Sequence, residues 1–146
     1  MIKPRLKFLG LIFTVCLAVC LIFAGCATDT DYAAIYDDDA RIAKCSSNVR
    51  IGSSQVSDKS SFNLNCKSIS GCYIIVNSFV VDEEASATLS LEVTAGKCKV
   101  VLVKGEDVYT VAEGNFDGAL ELNCPEGKYK VKVVGLDAQI RLKLKY

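Results

Sequence analysis

The chain has 146 residues, 51% hydrophobic and 23% charged, with 17 basic and 17 acidic side chains and neither histidine nor tryptophan. That is chain enough for one domain, too apolar to stay disordered and too evenly charged for a nucleic-acid binder. Without histidine, Ser-His-Asp and Cys-His catalytic constellations and His-ligated metal sites are excluded.

Lys3, Arg5 and Lys7 precede an uncharged run over residues 8–24. A basic end followed by an apolar run is the pattern of an export signal. As a helix the run extends only about 26 Å, short of the roughly 30 Å hydrocarbon core of a membrane. The residues that close it, Phe23-Ala24-Gly25-Cys26, resemble the lipobox of bacterial prolipoproteins, with Phe23 where leucine is usual. The resemblance implies a diacylglycerol group on the Cys26 thiol and cleavage after Gly25. It also implies a mature protein held on the extracytoplasmic side of a bacterial envelope membrane. Cys16 and Cys20 fit the pattern less well, because Val15 and Val19 precede them.

Three regions are expected: a signal peptide over 1–25, a lipidated N-terminus with an acidic tether over 26–45, and a β-sandwich domain over 46–146. The part from Cys26 onward carries 14 basic and 17 acidic side chains. Asp29, Asp31, Asp37, Asp38 and Asp39 lie close together with no base among them. Carboxylates are the ligands of hard cations. Their spacing here matches no ion-wrapping loop and no glycine turns the backbone, so a solvated tether is expected. Residues 32–44 suit a short helix. Residues 46–61, rich in serine, read as a loop with one short strand over 49–51.

From Phe62 onward the period is two. Phe62, Leu64 and Cys66 alternate with polar residues, as do Leu89, Leu91 and Val93, and then Leu120, Leu122 and Cys124. Tyr129, Val131 and Val133 follow, then Ile140, Leu142, Leu144 and Tyr146. Each set predicts a half-buried strand. Residues 73–81 and 100–103 are almost continuously apolar and predict central strands, covered on both sides or running through the most crowded part of the sheet. Turn signals fall at Gly71, Asp82-Glu83-Glu84, Ala95-Gly96, Lys104-Gly105-Glu106-Asp107, Pro125-Glu126-Gly127 and Gly135. Seven or eight such strands predict an all-β fold, an antiparallel β-sandwich.

A hairpin between residues 128–134 and 139–145 would oppose Lys128 to Lys145, Lys130 to Lys143 and Lys132 to Arg141. Directly opposed like charges destabilise a strand pair. Sending the two segments to different sheets avoids this, so a jelly-roll-like arrangement is expected. The same six residues, Lys128, Lys130, Lys132, Arg141, Lys143 and Lys145, form a candidate basic interaction face for an anionic polymer or lipid head groups. The competing reading is a solvated face that guards a sheet edge.

Ala95-Gly96, the turn over 104–107, and Pro125-Glu126-Gly127-Lys128-Tyr129-Lys130-Val131 resemble the pre-peptidase C-terminal domain, a small jelly-roll module appended to secreted bacterial enzymes. The likeness covers residues 85–146 and implies a fold and an accessory role. The short loops depart from that pattern.

Beyond Cys26, five cysteines remain: Cys45, Cys66, Cys72, Cys98 and Cys124. Export favours disulfides. Against them, the count is odd, and Cys66, Cys98 and Cys124 fall in phase with inward apolar residues, where cysteine acts as a small hydrophobe. Both readings stay open. The spacing from Cys66 to Cys72 is too long for a Cys₄ zinc site, and no thiol has a histidine as base. No phosphate-cradling loop occurs. Of the tyrosines, Tyr129 and Tyr146 point inward by phase, leaving Tyr73 and Tyr109 for any sugar stacking.

The expected function is therefore that of a non-enzymatic, lipid-anchored envelope protein without metal or cofactor. Its partners would be the membrane, through the acylated N-terminus, and an envelope protein or wall polymer, but no nucleic acid. The alternatives are an adhesion or assembly component docking through its basic strands, and a hydrolase working without histidine.

Overall fold

Each of the three longest strands joins two segments that the hydrophobic pattern separates. The computed structural model describes residues 31–146. The signal peptide, the lipobox and Cys26 lie outside the described residues. Two short helices, α1 (Tyr32–Tyr36) and α2 (Asp39–Lys44), lead into β1 (Asn48–Ser57), β2 (Ser61–Val81) and β3 (Thr88–Lys104). Then come β4 (Asp107–Glu113), β5 (Phe116–Ala119) and β6 (Gly127–Lys145). All pairings are antiparallel. The strands form one sheet in the order β1-β2-β6-β3-β4, with β5 also on β3.

The all-β, antiparallel expectation holds, with six strands in place of seven or eight. Gly71, Gly96 and Gly135, expected to turn the chain, lie inside strands and bend them. Residues 120–126 alternate correctly but form no strand. Their backbone contacts are isolated, such as Leu120 N–H to the Ala87 carbonyl at 2.9 Å. Conversely, β1 covers ten residues where three were expected. Ladder hydrogen bonds to β2, from Asn48 opposite Gly71 to Ser57 opposite Phe62, hold this serine-rich edge without much burial. The opposed lysines of the hairpin never meet, yet the two segments do not part to different sheets as expected: both belong to β6 of the one sheet.

The three central strands bend at one level. Register shifts fall between Cys66 and Gly71 on β2 and between Val93 and Lys97 on β3. Gly135 of β6 pairs with Gly71 on one side and Cys98 on the other. Gly96, at φ +69°, has no room for a side chain: a Cβ there would lie 2.3 Å from the Asp137 carbonyl oxygen. Bulges and glycines are the usual means of turning a sheet sharply. The bend brings Phe62 and Tyr73 of the same strand within 6.3 Å, ring to ring.

The concave side holds the main core, with Leu64, Ile69, Leu102, Ile140, Leu142 and Tyr129 all nearly inaccessible. A second cluster lies on the convex side, where Ile35, Tyr36 and Ile42 of the helices cover Cys72, Val101, Val103 and Val134. This explains the unbroken apolar run at 100–103: Val100 and Leu102 serve one core, Val101 and Val103 the other. Two of the aspartates expected in a tether, Asp31 and Asp38, begin the helices. Asp31 accepts Ala34 N–H at 3.0 Å, and Asp38 accepts Arg41 N–H at 3.1 Å. Such N-caps contribute about 1 kcal/mol each. The helices thus belong to the compact unit, which runs from Asp31 to Tyr146. Among the described residues, no helix is long and apolar enough to cross a membrane.

Candidate functional site

Beyond the bend toward the C-terminus, β6 alternates strictly, with Ile140, Leu142 and Leu144 in the core and Arg141, Lys143 and Lys145 outside. Cross-strand register builds outward from these three. Lys143 stands between Asn63 of β2 and Ser90 of β3, and Ser90 in turn faces Asp117 of β5. Arg141 stands between Asn65 and Glu92, and Lys145 between Ser61 and Thr88. Side chains in such ranks lie about 5 Å apart on one face. The result is a row of three cations with Asn65, Asn63 and Ser61 along one flank and Glu92, Ser90 and Thr88 along the other.

Charge pairing along the row is uneven. Arg141 Nη1 donates to Glu92 Oε2 at 3.2 Å, while Lys143 and Lys145 meet no carboxylate within 4.0 Å among the described residues. Two depressions adjoin the row. One, of about 200 Å³, is lined by Ser54, Val56, Asn63, Asn65, Arg141 and Lys143. The other, of about 530 Å³, lies between Asp58, Ser60, Thr88, Lys145 and Tyr146. Asp58 is held as a carboxylate well into acid, because the Ser60 N–H and the Ser61 hydroxyl both donate to it. It therefore fixes the loop at the rim.

The six bases do not form one face. Lys128 and Lys130 are exposed but lie on the other side of the bend from Arg141, Lys143 and Lys145. Lys132 is 2% exposed. Its ammonium donates to the carbonyls of Ile42 at 2.8 Å, Ala43 at 2.9 Å and Cys45 at 2.7 Å, closing the C-terminal end of α2. Burial pulls its proton affinity below that of an ordinary lysine. It is a structural cation that satisfies orphan helix carbonyls.

Sequence reasoning passed over Asn63 and Asn65, which read only as the polar half of an alternation. Lys132 had one signal: it interrupts an otherwise apolar run from Val131 to Val134, as expected where both faces of a strand are covered. The tyrosines proposed for stacking, Tyr73 and Tyr109, pack against the core. Tyr73 lies under the Arg50 guanidinium, 3.9 Å from its ring centre. Among the described residues no cluster of Cys, Asp and Glu could hold a metal ion. No family model matches the chain, and no curated protein or solved structure is significantly similar to it.

Proposed function

We propose that the protein is a non-enzymatic, lipid-anchored component of a bacterial cell envelope whose β domain binds an anionic polymer along Arg141, Lys143 and Lys145. One observation carries the binding reading: the cation row is bordered by two depressions, and Lys143 and Lys145 have no carboxylate within 4.0 Å among the described residues. Successive cations on one face of a strand repeat about every 7 Å. A polymer bearing phosphates or carboxylates at regular intervals suits that spacing better than a compact ligand does. The flanking amides and hydroxyls would meet its neutral oxygens.

The anchoring half of the proposal rests on the likeness of residues 23–26 to a lipobox, with Cys26 as the acylated residue. We also read the bent sheet as a jelly-roll-like sandwich, which would suit the accessory role implied by the likeness to pre-peptidase C-terminal domains. The meeting of its two ends supports the layering.

Co-sedimentation of residues 31–146 with a phosphodiester-linked wall polymer tests the binding reading. Binding should weaken as salt rises, since exposed charges are screened. The double variant Lys143→Glu/Lys145→Glu should lose roughly tenfold or more in affinity, whereas Lys128→Glu/Lys130→Glu should retain it. No sedimentation, or equal loss in both double variants, would reject the row as the binding element.

A further inference from the structure

The sheet divides the cysteines. Cys66, Cys98 and Cys124 belong to the concave core, whereas Cys45 and Cys72 belong to the convex cluster beneath the helices. All five are free thiols in the structure. Cys45 ends α2, its N–H bonded to the Arg41 carbonyl at 2.8 Å and its own carbonyl held by Lys132. Its Sγ lies 3.5 Å from the Ser47 carbonyl oxygen, which also accepts the Cys72 N–H at 2.9 Å. The Ser47 carbonyl thus holds the Cys45 thiol and the Cys72 backbone side by side.

We propose that Cys45 and Cys72 are a built-in disulfide site, oxidised by a disulfide-bearing donor to fasten the helix pair to the sheet. This goes beyond the binding reading and does not depend on it. Exposure sets the order of events. Cys45 is half-buried and Cys72 is fully buried, so an external disulfide reaches Cys45 first. The Cys45 thiolate attacks the donor, a new S–S bond forms, and one donor thiolate leaves. Cys72 then attacks the Cys45 sulfur, expelling the second donor thiolate. The two cysteine protons end on the two departing thiols, and the donor disulfide takes up the electron pair. Lys132, which donates to the Cys45 carbonyl, serves this sequence, because its positive charge partly offsets the burial of the Cys72 thiol. Burial, the larger influence, pushes the Cys72 thiol well up, so Cys45 is the thiol that meets the donor first.

The arrangement also accounts for the odd count: one bridge on the convex side and three thiols packed in the concave core. The test uses the full chain in detergent, incubated with glutathione disulfide, acid-quenched, alkylated without reductant and mapped by mass spectrometry. The expected product is a peptide linking Cys45 to Cys72, with Cys66, Cys98 and Cys124 alkylated singly. Cys124→Ser should keep the link. Cys45→Ser should abolish it and leave Cys72 free of a glutathione adduct. A wild-type chain with all five thiols alkylated, a stable glutathione adduct on Cys45, or a bridge joining another pair would overturn the proposal.

Discussion

Phe79 and Tyr146 meet edge to face at 6.0 Å, although they belong to opposite ends of the β2–β6 ladder. Phe79 lies opposite Tyr129, at the start of β6, while Tyr146 follows its last residue. Along a straight strand these positions would be about 55 Å apart. Their contact is the clearest measure of how far the sheet turns back on itself. That turn separates the exposed cations of β6 into two groups on different surfaces.

The bend depends on glycine where backbone crowds backbone. Gly96→Ala would place a Cβ against the Leu136 and Asp137 carbonyls, at 2.4 and 2.3 Å, with φ at +69°. Gly105 has a similar φ of +63° but nothing within 4 Å. Urea denaturation should therefore show a loss of about 1 kcal/mol for Gly105→Ala, from the left-handed backbone alone, and about 3 kcal/mol or more for Gly96→Ala. Equal losses would mean that the crowding at the bend is relieved at little cost.

Lys132 connects the helices to the sheet. Lys132→Met keeps the stem but leaves the Ile42, Ala43 and Cys45 carbonyls without their donor. A stability loss of about 2–4 kcal/mol is expected, from charged hydrogen bonds removed and buried acceptors orphaned. Exposed Lys130→Met should stay within about 0.5 kcal/mol of wild type. If the two variants were equally stable, the cap would be ornamental.

Much of the fold was legible from period alone. The inward residues of β2, β3 and β6 could be named from alternation, and the run at 100–103 correctly implied cover on both sides, whereas the run at 73–81 did not: Asn77, Ser78 and Val80 are exposed. The bends were not legible, because glycine next to small or polar residues reads the same way in a turn and in a bulge. Gly71, Gly96 and Gly135 act through tertiary crowding, which local pattern does not record. β1 was mostly missed for a related reason: a serine-rich edge strand is held by its neighbour's backbone and leaves no hydrophobic trace. At the candidate site, Arg141, Lys143 and Lys145 were found from charge. Their separation from Lys128 and Lys130, and the burial of Lys132, follow from the bend and from helices whose aspartates resembled a tether.

Alkaline stability reports on the buried thiols. Burial pushes Cys98 from the ordinary 9.0 up to about 12. Between those values the unfolded chain loses this proton while the folded chain keeps it. The folded form then binds more protons, so stability falls as pH rises. The contribution is fully present below pH 9.0 and lost toward about 12, with a slope of up to about 1.4 kcal/mol per pH unit. Denaturant midpoints across that range should fall less steeply for Cys98→Ala than for wild type. Parallel curves would show that Cys98 ionises as freely in the folded protein as in the unfolded one.

We propose a protein tethered by lipid at Cys26 whose cation row, Arg141, Lys143 and Lys145, binds an anionic polymer. Each buried methylene contributes about 0.8 kcal/mol, so two acyl chains anchor stably where one exchanges. The most direct measurement is metabolic labelling with a fatty acid in bacterial cells, combined with the mass of the mature N-terminal peptide. Wild-type protein should carry the label and begin at Cys26, and Cys26→Ala should carry none. An unlabelled wild type, or a mature N-terminus at any other residue, would contradict the account.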